Sequence, residues 1–156
     1  MFSINSTLSM GIKIVFPNKK VGDEGLESFT KLKILNGLEK YSTKFHNMIN
    51  RINRATGKVF VYSSFKEFAG LKSFIKVLEA FGYKNYAEHG EGTKRFAIWS
   101  GDEDINYKEE IKSVFNMKKN LNGSKLKIIL GSSSIKERSE EHTSELQSRV
   151  DISYAV

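Results

Sequence analysis

Cysteine is absent from this chain of 156 residues. Disulfides and thiolate metal sites are therefore excluded, and a reducing compartment fits. Proline occurs once, at Pro17, so no helix or strand downstream of it is broken by proline. No apolar run approaches the ~20 residues of a membrane-spanning helix. The N-terminus, MFSINSTLSMGIKIVF, lacks the basic start, unbroken apolar stretch and small-residue cleavage site of a secretory signal. Histidine is scarce: His46 has no second ligand at metal-binding spacing and reads as a surface or half-buried side chain, and His89 reads as solvated rather than catalytic. What is present suits one globular α/β domain: 39% hydrophobic and 12% aromatic residues. The formal charge of +7 suits a polyanionic partner. A lysine- and asparagine-rich coding composition accounts for the same excess.

The pattern is organised around Lys58 to Tyr83. Val59 to Tyr62 reads as a buried strand, Ser63-Ser64 as a polar turn, and the following residues as an amphipathic helix. Phe68, Leu71, Phe74, Ile75, Leu78 and Phe81 recur at three- and four-residue steps and form one stripe. Gly82 stands where helices end in a left-handed cap. Residues 1–37 read as a connector or the end of a preceding region, with a short strand at Ile12 to Phe16 stopped by Pro17 and a polar loop at Asn18 to Gly25. Leu38, Tyr41, Phe45, Met48, Ile49 and Ile52 predict one helix from Leu38 to Ile52, with Gly57 after it. Lys84 to Arg95 reads as a loop. Its Gly90 to Lys94 fails the spacing of a phosphate-binding loop.

Two more units follow. Arg95 to Ser100 predicts a strand ending in the turn Ser100-Gly101-Asp102, with a helix from about Asn106 to Lys118 carrying Ile111, Val114 and Phe115 inward. Lys118 to Ser124 is then a loop. Lys125 to Leu130 predicts a third strand, ending in Gly131 to Ser134. Strand, polar turn and helix repeated in this way imply parallel strands joined by crossovers. The three turns then share the carboxyl edge of the sheet, where α/β folds place ligands. Glycine and small hydroxyl residues let backbone amides approach a phosphate. A serine before a helix is also an ordinary N-cap. Trp99, on a strand, reads as core rather than as a base-stacking residue.

The segment from Arg138, RSEEHTSELQSRVDISYAV, breaks with the composition before it. It resembles, in frame, the conceptual translation of a widely used sequencing adapter, with Arg149 to Asp151 spanning a variable index. Residues 138–156 are thus expected to be a non-native tail, disordered or irregular, with the native reading frame cut near Glu137. Without its two basic and four acidic residues the formal charge rises from +7 to +9.

The order of the turns resembles the second RecA-like lobe of superfamily 2 helicases, in the Swi/Snf-like branch. VFVYSSF is similar to motif IV, AIWSGD to the next turn, VFN at Val114 to Asn116 to a phenylalanine-asparagine pair, and IILGSSSIKE to motif V. The wording is most similar to helicase-like transcription proteins of large cytoplasmic DNA viruses, of the poxvirus early transcription factor type. Relatives often carry proline in the motif V serine run, where this chain has Ser133 or Ser134. The resemblance covers residues 38–137. It implies an incomplete RecA-like (P-loop NTPase type) three-layer domain with a parallel sheet.

By that resemblance, Ser63, Ser64, Ser100, Gly101, Gly131 and Ser132 face the DNA or RNA backbone, and Lys136 and Glu137 couple that edge to an ATP cleft. ATP and magnesium belong to the full-length parent, bound with a missing N-terminal lobe and with motif VI arginines that this chain lacks. The fragment alone is expected to bind neither and to be inactive. The resemblance also implies viral transcription as the setting, in a cytoplasmic viral factory or virion, with no membrane partner. A standalone flavodoxin-like nucleotide-binding domain and a noncatalytic interaction module are the competing readings. The first needs a complete phosphate loop or a pocket acid, and the sequence offers neither.

Overall fold

The computed structural model describes residues 2–4, 14–63, 71–101, 103–132 and 152–155. Four parallel strands form the central sheet: β2 (Val59–Ser63), β3 (Lys84–Asn85), β4 (Arg95–Trp99) and β5 (Ile128–Ser132), in the order β2-β5-β4-β3. The register pairs Val59 with Ile128 and Phe96 with Ile128, so β5 lies between β2 and β4. Side chains alternate between the two faces of a strand, and both faces are apolar here. Val59, Val61, Phe96, Ile128 and Leu130 join a core with Phe45, Met48, Ile49, Ile52, Phe74 and Leu78 on one side. Phe60, Ala97, Trp99 and Ile129 join Ile111, Val114, Phe115 and Leu126 on the other. Near-continuous apolar strands are what a parallel sheet covered on both sides requires. The expected α/β, three-layer arrangement is the one observed.

The helices on the first side are α1 (Gly22–Ser28), α2 (Lys31–Tyr41), α3 (Thr43–Arg54) and α4 (Leu71–Ala80). The single helix expected from Leu38 to Ile52 is two. Ser42, with extended φ −156° and ψ 106°, divides them. Its N–H closes α2 on Leu38 O at 2.9 Å, and its hydroxyl accepts the Phe45 N–H at 3.2 Å to open α3. A serine offers the backbone this local alternative to a continuous helix. The stripe survives the break: Leu38, Phe45, Met48, Ile49 and Ile52 are all buried.

Residues before Leu38 are not a mere connector. Phe16, Phe29 and Ile34 are buried in the same core, and Phe29 meets the rings of Phe16 and Tyr41 edge-on at 5.7 and 6.1 Å. Gly25, expected in a loop, lies in α1, where a Cβ would fall 2.3 Å from the Phe16 ring. Ile14 to Phe16 are not in a strand; the rest of that expected strand, and Phe68 of the predicted stripe, lie outside the described residues. Helix α4 ends as read. Gly82 has φ +93°, its N–H bonds Glu79 O at 3.1 Å, and Tyr83 N–H bonds Leu78 O at 3.0 Å. This paired closure is the Schellman arrangement.

Lys84 to Arg95 is more than a loop, since it holds β3 and the single turn α5 (Tyr86–His89). Two polar strand residues carry no alternation to detect, and only the buried Tyr86 ties the segment to the core. Helix α6 (Ile105–Asn116) and a 3₁₀ turn (Lys118–Asn120) lead to β5. Two further parallel strands, β1 (Phe2–Ile4) and β6 (Ile152–Ala155), extend the sheet beyond β2 in the order β1-β6-β2. For Ile152–Ala155 the expectation of irregular chain is thereby corrected. The outer edge of β2 presents backbone groups that a β-prone segment such as Ile-Ser-Tyr-Ala satisfies.

Lys44 of α3 buries its ammonium without a hydrogen-bond partner among the described residues, and burial pulls its pKa below the usual lysine value. Lys44→Met is expected to raise stability at neutral pH by roughly 0.5–1 kcal/mol, a low-end figure because the side chain is partly exposed. The folded-state pKa is the lower one, so the wild type regains stability as pH rises toward the unfolded value. The advantage of Met should therefore shrink in alkaline melts.

Candidate nucleic-acid-facing rim

The carboxyl ends of β2, β5 and β4 finish side by side. Ser63 pairs in register with Ser132, and Tyr62 with Gly131. Trp99, across the other side of β5, also pairs with Gly131, so Ser100 and Gly101 leave β4 beside Ser132. Ser63, Ser100, Gly101, Gly131 and Ser132 thus lie on one rim. Gly131 and Ser132, expected in a turn, are the last two residues of β5. The ladder to β2 extends that far because the two strands run in register to their ends. Ser64, Asp102, Ser133, Ser134, Lys136 and Glu137 lie outside the described residues.

Helix α6 begins at this rim, and its cap separates two roles that the sequence left open. Asp104 Oδ2 accepts the N–H groups of Asn106 and Tyr107 at 3.0 and 3.2 Å. The capping task thus falls to Asp104 and not to Ser100. Trp99 is 5% exposed and packs in the second core, as expected for a strand tryptophan.

Two residues that the sequence did not single out hold the rim's strands to α6. Asn120 is fully buried and uses its whole amide. Its Nδ2 donates to Phe115 O and Leu126 O at 3.1 and 2.8 Å, and its Oδ1 accepts the N–H groups of Lys125 and Leu126 at 2.8 Å each. Lys58, 1% exposed, donates from Nζ to the same Phe115 O at 2.7 Å and lies 4.7 Å from the Phe115 ring centroid. A cation at the last turn of α6 is favoured by the helix dipole. In the sequence, Lys58 only opens the strand-forming stretch and Asn120 falls within the expected Lys118 to Ser124 loop. Only their burial distinguishes them.

Gly90 to Lys94 lies at the opposite, amino-terminal edge and is committed to the fold. Gly92 N–H bonds Lys125 O at 2.9 Å, Arg95 Nε bonds Gly90 O at 2.8 Å, and Lys94 Nζ bonds Phe81 O at 3.2 Å. The Arg95 guanidinium stands 2.6 Å from where a Gly92 Cβ would be. A phosphate cradle needs open amides, so this loop does not fit a triphosphate. Among the described residues no group of three or more His, Cys, Asp or Glu could hold a metal. His46 meets Glu39 at 3.3 Å and Asn50 at 3.2 Å, and His89 is exposed at the end of α5. Neither this loop nor the two described histidines supply a site for ATP or magnesium.

Tyr83 donates to Asn53 Oδ1 at 2.9 Å and Tyr86 to Glu110 Oε2 at 2.8 Å. Burial pushes the pKa values of Tyr83, Tyr86 and Tyr107 up to about 12, with Glu110 adding to the effect at Tyr86 and Glu103 at Tyr107. The folded-state values lie above the unfolded value near 10. Their contribution is complete below about pH 10 and lost as pH rises through 12. Phenolate absorbance should show these three titrating late, together with loss of structure. Full titration near pH 10 with the fold intact would contradict this.

No protein-family model matches the chain. Over 125 residues, 80% of this chain, it is 53% identical to a protein of Acanthamoeba polyphaga mimivirus named "Putative ATP-dependent RNA helicase R563". Over 100 residues, 64% of this chain, it is 32% identical to "Uncharacterized killer plasmid pGKL-2 helicase" of Kluyveromyces lactis. The matches span 22% and 16% of those two proteins, so the chain matches less than a quarter of the length of either. Both names support a fragment of a helicase-family protein. No helix among the described residues is long and apolar enough to cross a membrane.

Proposed function

We propose that this chain is part of the second RecA-like lobe of an ATP-dependent nucleic-acid motor of the superfamily 2, Swi/Snf-like kind. In this reading the rim formed by Ser63, Ser100, Gly101, Gly131 and Ser132 contacts the sugar-phosphate backbone of DNA or RNA, and Ser64 shares that role. The observation that carries it is 53% identity to a helicase-named viral protein, in a chain whose small residues end adjacent parallel strands in register. Hydroxyls and backbone amides at such a rim suit phosphate oxygens and give affinity without reading bases. The basic charge adds a salt-dependent attraction.

ATP and magnesium are held in the parent, between this lobe and a first lobe that supplies the phosphate loop. By the same resemblance, Lys136 and Glu137 couple the nucleic-acid-binding residues to ATP. The poxvirus-type resemblance extends the proposal to viral transcription, carried out in a cytoplasmic factory or in the virion.

The purified chain should bind a fluorescent oligonucleotide weakly, and binding should fall steeply between about 50 and about 200 mM salt. It should not turn over ATP. Salt-independent binding would overturn the backbone-contact reading, and magnesium-dependent ATP turnover by this chain alone would overturn the division of labour between lobes.

A further inference from the structure

The outward face of α3 is built as regularly as its inward one. Phe45, Met48, Ile49 and Ile52 face the core, whereas Asn47, Asn50, Arg51 and Arg54 recur at steps of three, one and three on the other side. That spacing places the four on a single helical stripe. With Asn53 they line an open recess of about 540 Å³, within the range of small-ligand sites. No acidic residue occurs in α3, and both arginines fall in its last turn.

The recess lies away from the rim. Helix α3 runs into β2 through Ala55, whose carbonyl accepts Lys127 Nζ at 2.6 Å just before β5 begins. Arg51 and Arg54 are therefore at the amino-terminal edge of the sheet. Five-residue strands separate that edge from the serines, about 13 Å at the usual rise.

We infer that this Asn/Arg stripe is a second nucleic-acid contact, holding the phosphodiester backbone at the edge of the sheet opposite the serine rim. Arginine forks match phosphate oxygens bidentately. Asparagine amides add donors for phosphate and sugar oxygens. An anionic membrane is a poorer match, because interfacial helices present large apolar residues beside their basic ones. Here every apolar residue of α3 is buried in the core. The inference stands independently of the rim, since either surface binds without the other.

The test titrates a fluorescent single-stranded RNA oligonucleotide against three forms of the full chain: wild type, Arg51→Gln/Arg54→Gln, and Ser63→Asp/Ser132→Asp. The arginine variant should bind about 10-fold more weakly at low salt. Its log-log salt slope should be shallower by about 1.4, the change expected when two phosphates of a single strand are no longer neutralised. Asn47→Glu, an exposed position that leaves the core untouched, should weaken binding in the same direction. Thermal melts verify that each variant is folded; should the arginine pair melt early, Asn47→Glu decides. Unchanged affinity and slope in the folded variants overturn the inference. So does transfer of the arginine effect to vesicles of anionic lipid, or to an acidic peptide, with no change on RNA. Weakening confined to the serine variant supports the rim and overturns the recess. Weakening confined to the arginine variant does the reverse.

Discussion

Asn120→Ala is expected to destabilise the fold by about 3–4 kcal/mol. The amide makes four hydrogen bonds in a site closed to solvent. Its removal strands the N–H and C=O of Leu126 and the N–H of Lys125, with Phe115 O keeping only its bond from Lys58. Each buried polar group left without a partner costs ~1–3 kcal/mol, and partial relaxation brings the sum below the maximum. For a chain of this size the melting temperature should fall by about 10 °C. Asn120→Asp separates geometry from chemistry. It keeps the acceptor for Lys125 and Leu126 but turns an oxygen on the two carbonyls that Nδ2 served. A comparable loss of stability in the Asp and Ala variants is expected. A near-neutral Asp variant would mean that the donated bonds carry little.

Lys58→Ala should cost about 2–3 kcal/mol and Lys58→Met less than about 1. Alanine removes the ammonium and also the stem that crosses the Phe115 ring. Methionine keeps the volume and removes a buried charge whose desolvation offsets much of what it gains. Phe115 O then retains Asn120 as its donor. The shared acceptor couples the two sites, so the double substitution Lys58→Ala/Asn120→Ala should depart from additivity by more than ~0.5 kcal/mol. Denaturant melts of the four proteins measure this. Strict additivity would contradict a common role in pinning α6 to the sheet.

The strands β2, β4 and β5 were legible because each is a short apolar run bounded by polar turns, and the inward faces of α3, α4 and α6 because their stripes are regular. The break at Ser42 was not, since a buried serine that caps one helix while ending another leaves the periodicity intact. The core roles of Phe16, Phe29 and Ile34 were overlooked because these anchors lie in separate short segments and do not form one stripe. The two-residue β3 lay below what alternation detects. The rim was half legible. Serine and glycine at three strand ends suggested it, but that β5 inserts between β2 and β4, bringing Ser132 between Ser63 and Ser100, is decided by long-range pairing. Asn120 and Lys58 were illegible for another reason: polar residue types carry no mark in sequence of being buried and fully bonded.

The most direct test of the account is amide chemical-shift mapping of the chain during titration with an unlabelled single-stranded oligonucleotide at low salt. Ser63, Ser100, Gly101, Gly131 and Ser132 are expected to shift together and saturate along one curve. Their resonances holding still while the oligonucleotide binds elsewhere would contradict it.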